Sequence, residues 1–226
     1  MNKAVIYTCI TAEYDELRQP WAVHPGFDYV CFVPSGDPRI GGNVGVWQMK
    51  AIDFENPDDR VHSRFVKLNP HLVFPEYEYS LWIDGNVTIA DGALYDKLLE
   101  EMERGTIYMG IKHPKRDCSY REAFKCYHYD YITFRVLCKT LAFLCGKRLP
   151  LRAGLMENNV IFRRHNDPTV ALQSSQWWKL FMELPYRDQF THTLSLRYSG
   201  LEPEYLLPEK KDARCWPWFA FFDHQF

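Results

Sequence analysis

The sequence lacks an excess of either charge: 27 lysines and arginines stand against 29 aspartates and glutamates, for a formal net charge of −2. A dedicated nucleic-acid binder would carry a basic excess, so no nucleic-acid partner is expected. Paired cysteines are missing too. The seven cysteines, at positions 9, 31, 118, 126, 138, 145 and 215, are odd in number and contain no CxxC, which removes zinc-ribbon and thioredoxin-like readings. Cys138 and Cys145, seven apart in a helical pattern, are expected to share a face as small buried residues, in a reducing compartment. No stretch approaches the ~20 apolar residues of a membrane span, and Ala4 to Ile10 is too short for the core of a signal peptide. A soluble cytoplasmic chain without a transmembrane segment is the expectation, with peripheral membrane contact left open. Repeats, low-complexity tracts and long linkers are also absent.

What is present is 226 residues, 46% hydrophobic and 16% aromatic. That length suits one domain spanning 1–226, able to bury roughly 70% of its surface without disulfide or metal staples. Ala4 to Ile10 and Tyr29 to Val33 are short apolar runs rich in β-branched and aromatic residues, bounded by turn formers, and read as buried strands. Tyr79 to Ile83, Ile107 to Ile111 and Val160 to Phe162 look similar. Helical patterns lie between them: Asp91 caps a segment with Leu94, Tyr95, Leu98, Leu99 and Met102 on one face, closed by Gly105. Alternating strands and helices imply an α/β fold with a mostly parallel central sheet flanked by helices. The stretch 118–150 reads as a helical, aromatic-rich lobe beside it.

The most informative segment is Tyr79-Ser80-Leu81-Trp82-Ile83-Asp84-Gly85-Asn86. In an open α/β sheet ligands sit at the carboxyl ends of strands, which is where this run delivers Asp84. Gly85 allows a tight turn, so Asp84 and Asn86 could aim oxygens at one spot, suiting a hard divalent cation that also carries nucleotide phosphates. An ordinary Asp-Gly-Asn turn is the competing reading. Upstream, Arg64, Lys67 and His71 fall at helical spacing and could form a basic stripe for a diphosphate, or a merely solvated face. Pro70 ends or kinks that helix, which counts against His71.

Segment 63–89, with its Arg-x-x-Lys helix, Phe74-Pro75 and Trp-Ile-Asp-Gly-Asn, resembles a glycosyltransferase-like family. That family includes plant proteins of mucilage and pollen-tube wall synthesis and bacterial relatives. More distantly it is similar to GT-A glycosyltransferases, in which an Asp-x-Asp motif binds Mn²⁺ and the sugar nucleotide. The likeness spans about 4–224, with further motifs at 113–124, 154–164 and 186–189, and departs from the pattern in having Asn86 at the third motif position. It implies a GT-A-like (Rossmann-like) single domain moving a sugar from a nucleotide sugar, UDP-linked, to a saccharide or glycoconjugate acceptor in polysaccharide biosynthesis. Mn²⁺ (or Mg²⁺) would be held by Asp84, Asn86 and a late-chain histidine, for which His224 is the candidate.

The same resemblance places Thr8, Arg64, Lys67, Asp84, Gly85, His113, Arg116, Gly154, Glu157 and Asn158 around the donor. It gives Asp188 and Gln189 the catalytic positions, Asp188 as acceptor base or as a carboxylate beneath the sugar. Local alternatives remain for several of these. Glu122 completes a Ser119-x-x-Glu122 capping box, Asp188 suits a helix cap, and Glu157 to Asn159 suit a polar loop before the Val160 strand. A nucleotidyltransferase of similar fold ranks second, because Thr8 to Tyr14 lacks the Gly-rich loop such enzymes place after the first strand. A non-catalytic carbohydrate-binding protein is the third reading.

Overall fold

A computed structural model describes residues 2–11 and 15–223. Five strands of five to seven residues run in one direction and build most of an eight-stranded sheet: β1 (Ala4–Cys9), β2 (Phe27–Val33), β4 (Trp47–Ala51), β5 (Tyr79–Ile83) and β7 (Tyr108–Lys112). With β3 (Asn43–Val44), β8 (Met156–Arg163) and β9 (Glu204–Tyr205), the order across the sheet is β3-β4-β2-β1-β5-β8-β7-β9. β8 is antiparallel to both neighbours, β5 and β7. Its beginning therefore lies at the edge where the parallel strands end.

Strands buried on both faces explain the unbroken apolar runs in the sequence. Successive side chains of β1 enter opposite cores: Ala4 and Ile6 join one, Val5, Tyr7 and Cys9 the other. The first core is covered by α3 (Ala93–Arg104) through Leu94, Tyr95 and Leu98. The second is covered by α1 (Asp59–Leu68) and α6 (Pro168–Glu183), with Trp177 and Phe181 filling it. Gly92 holds the N-cap position of α3, one residue after the expected Asp91, whose carboxylate accepts from Ala93 N, and Gly105 ends the helix at φ +80°.

Pro70 breaks the helix after Leu68, and the chain resumes as the one-turn α2 (Pro70–Val73). His71 is thereby turned towards Ser175 and away from Arg64 and Lys67. The stretch 118–150 forms α4 (Ser119–His128) and α5 (Phe134–Gly146). Cys138 and Cys145 are exposed, contrary to expectation. The buried stripe of α5 is carried by Leu137, Thr140 and Leu144, and the cysteines sit beside it. The helix α7 (Gln189–Ser199) follows α6, and β6 (Val87–Ile89) pairs with β10 (Phe219–Phe221) in a separate antiparallel ribbon. No helix among the described residues is long and apolar enough to cross a membrane.

Candidate active site

The carboxyl ends of β1, β5 and β7, the start of β8 and the N-terminus of α7 surround a cleft of about 930 Å³. Its floor is a chain of charges. Arg64 Nε donates to Asp188 Oδ1 at 3.2 Å, and Lys67 Nζ lies 3.0 Å from both Asp188 Oδ2 and Asp84 Oδ1. Trp82 Nε1 also donates to Asp84 Oδ1, at 2.7 Å. Lys67 is 1% exposed and Asp188 8%, so the centre of this ion cluster is shielded from water, while Arg64 and Asp84 at its ends are each 31% exposed.

The surrounding structure holds each member in place. Arg163, wholly buried in β8, donates from Nη2 to the Lys67 carbonyl at 2.8 Å and to Tyr7 Oη at 2.5 Å. A cation at the last turn of α1 suits the helix dipole. Trp177 Nε1 and Thr191 Oγ1 donate to the Asp188 carbonyl, and Asn158 Nδ2 donates to Asp188 Oδ2 at 3.3 Å. Burial alone would raise the Asp188 pKa, but Lys67 and Arg64 outweigh it and hold the carboxyl far below its usual range. Burial likewise opposes charge on Arg64, and the Asp188 and Asp84 carboxylates reverse that.

Glu157 and Asn158 reach the cleft because β8 bulges. Gly110 pairs with Ile161 while the next residue, Ile111, pairs with Glu157, which leaves three residues of β8 extra. Such a bulge re-aims side chains at a sheet edge. Glu157 to Asn159 therefore belong to the strand, where the sequence suggested a loop before it. Burial raises the Glu157 pKa, partly countered by Arg214, whose Nη1 donates to Glu157 Oε1 at 3.2 Å.

At the β7 side, His113 Nδ1 accepts from the backbone N–H of Lys115 and Arg116, both at 3.1 Å. Burial and then Arg116 lower its pKa, so the ring stays neutral with Nε2 3.7 Å from Glu122 Oε2. Glu122 forms no capping box. Arg116 donates to its carboxylate from Nε, and Cys126 Sγ donates to Oε1.

Arg64, Lys67, Asp84, Gly85, His113, Arg116, Glu157, Asn158, Asp188 and Gln189 all line this cleft. Asp188 forms no side-chain cap on α7, and Gln189 Nε2 donates to the Met156 carbonyl at 2.9 Å. Two expected donor residues do not line it. Thr8 is buried in β1, facing away from Cys9, with no partner for Oγ1 among the described residues. Gly154, at φ +90°, turns the chain and spends its carbonyl on Thr193 Oγ1.

Asn86 does not join Asp84 in the cleft. Its Nδ2 donates to the Phe222 carbonyl, and Phe222 N donates to the Asn86 carbonyl, so it clasps the ribbon. A Cβ at Gly85 would stand 2.8 Å from Ile10 Cδ1, so any larger residue there would have to displace that side chain. His224 lies outside the described residues. Sequence reasoning missed Arg163, Trp177, Arg187 and Arg214. Only proximity to Asp188 could have flagged Arg187.

No curated relative matches the sequence. Among solved structures, the fold is similar to the WbbM bifunctional glycosyltransferase in its apo form, with TM-score 0.51 and 6% identity over 92% of this chain and 39% of that one. Mouse xyloside xylosyltransferase 1, apo, gives TM-score 0.47 and 8% identity over 90% and 84%. Core-mannan synthase A of Aspergillus fumigatus, in its Mn/GDP form, gives 0.47 and 9% over 91% and 73%. At such identities likeness speaks for the fold alone, a GT-A-like α/β sheet. The sequence signature of the TOD1/MUCI70 glycosyltransferase-like domain matches residues 1–202, and the chain accordingly belongs to that family.

Proposed function

We propose that the chain, as one domain over 1–226, transfers a sugar from a UDP-linked donor to a saccharide or glycoconjugate acceptor. The observation that carries this reading is the Arg64–Asp188–Lys67–Asp84 array at the carboxyl ends of parallel strands. The chemical demand is departure of a diphosphate from an anomeric carbon with oxocarbenium character. Arg64 and Lys67 supply positive charge beside the leaving group. Asp188, kept ionised by those cations, is a poor proton acceptor and suits the sugar's developing positive charge instead. That favours the carboxylate beneath the sugar over the acceptor base.

Among the described residues, a divalent cation fits through Asp84 alone. Its Oδ1 is taken by Lys67 and Trp82, while Oδ2 receives no hydrogen bond from the described residues and the side chain is 31% exposed. Asn86 is turned to the ribbon, and no cluster of three or more His, Cys, Asp or Glu stands ready for a metal among the described residues. Mg²⁺ is usually held by one or two carboxylates with substrate phosphates and water completing its shell, and Mn²⁺ also accepts such oxygen ligands. When bound, it would neutralise charge on the departing diphosphate. The test is thermal shift with UDP-, GDP-, CMP- and TDP-sugars, with and without Mn²⁺. A UDP-sugar shift that grows with Mn²⁺ is expected, and no shift with any donor would refute the reading.

A further inference from the structure

Most cations lining the cleft are matched to carboxylates: Arg64 and Lys67 to Asp188, Arg116 to Glu122, Arg214 to Glu157. Lys115, Lys125 and Arg187 also line it, and among the described residues no carboxylate lies within 4.0 Å of any of them. Lys115 follows β7, Lys125 stands on α4, and Arg187 precedes α7. Arg187 Nε is buried without a hydrogen-bond partner among the described residues, and an unsatisfied buried donor calls for an explanation.

Aromatic rings accompany these cations. Lys125 Nζ lies 5.2 Å over the Tyr129 ring, and Arg187 Cζ lies 5.7 Å over Tyr131. The two rings are 6.0 Å apart and 54% and 66% exposed. Between them Asp130 adopts φ +59°, a left-handed turn that sets both rings at the surface. In the sheet, β8 separates β7 from β5, which carries Asp84. At the usual strand spacing the end of β7, which leads to Lys115, lies about 10 Å from the β5 end, while Arg187 directly precedes Asp188 of the charge cluster.

Exposed ring faces receive the C–H faces of sugars, and unmatched cations receive anions. We infer that this wall of the cleft receives an acidic saccharide acceptor, its sugar rings on Tyr129 and Tyr131 and its carboxylate or phosphate groups met by Lys115, Lys125 and Arg187. The inference rests on the glycosyltransferase reading only in calling that saccharide the acceptor.

Calorimetry at low ionic strength tests it, using glucuronic-acid oligomers against their carboxyl-reduced forms, and mannose-6-phosphate oligosaccharides against their dephosphorylated forms. At least one acidic form should bind about tenfold more tightly than its neutral counterpart, and which one does so distinguishes the carboxylate source from the phosphate source. Lys115→Gln and Lys125→Gln, both at exposed positions, should together remove most of that preference, and Arg187→Gln should do the same where it folds. Equal binding of acidic and neutral forms, binding of none, or a preference that survives the double substitution would overturn the wall. UDP titration of the same proteins keeps the two readings apart. Wild-type protein that prefers the acidic saccharides but binds no UDP counts against the donor reading alone, and wild-type protein that binds UDP without that preference counts against the wall alone.

Discussion

Arg64 and Asp188, 124 positions apart in the chain, meet at 3.2 Å, and with Lys67 they make Asp188 the most heavily compensated carboxylate of the cleft. Such a group contributes most where positive charge develops during reaction. Asp188→Asn should lower turnover by about 100-fold or more while UDP affinity stays within about threefold, the pattern of an interaction made mainly in the transition state. Initial rates and calorimetry on the purified variant separate the two.

The lowered pKa of Asp188 has a consequence for stability with a definite sign. A depressed folded-state pKa adds stability above the ordinary value, about 3.9, that is lost as pH falls towards the folded value. Urea midpoints should therefore fall with pH below about 4 in the wild type. In Asp188→Asn that fall should be shallower. An activity profile with no limb from Asp188 between pH 5 and 8 should accompany it, since the group stays ionised throughout. Parallel acid slopes in the two proteins would contradict this.

Lys67 sits between two carboxylates at 1% exposure. Lys67→Met should destabilise by about 3–5 kcal/mol, because it leaves buried charge uncompensated. Adding Asp188→Asn should recover about 1 kcal/mol or more, a coupling that denaturant melts of the four proteins can measure.

Asp84→Asn keeps an oxygen for Trp82 Nε1 and leaves Lys67 paired with Asp188. Stability should change by less than about 1.5 kcal/mol, while Mn²⁺-dependent UDP affinity falls about tenfold or more. Unchanged affinity by calorimetry would remove Asp84 from the donor site.

How far the sequence could be read follows the range of the forces involved. Local signals were legible: the apolar runs of β1, β2 and β5, the start of α3 to within one residue of Asp91, the Gly105 stop and the break at Pro70. Asp84 at a strand end was legible as well, since strand periodicity and the Asp-Gly turn lie within a few residues. Partners across the chain were not. The Ser119-x-x-Glu122 spacing satisfies a capping box, yet Arg116 and His113 compete for Glu122 through folding of the loop after β7. Asn86 next to Asp84 suggested a shared ligand, but its amide is taken by Phe222, 136 positions away. Cys138 and Cys145 shared a face as their spacing required, but spacing cannot say which face of α5 meets solvent.

The bulge in β8 bears on how the chain could change in length. Below it β8 pairs with β7 in one register, above it in another, and Gly110 sits at the joint, where a Cβ would lie 2.3 Å from Met156 Cε. Deleting or inserting one residue within 158–160 would reverse which face every residue on one side presents. Either Glu157 and Asn158 would leave the cleft, or Val160 to Phe162 would leave their cores. Indels are therefore incompatible with this stretch. In a lineage of such chains, 156–163 should behave as a fixed ruler while the loops drift.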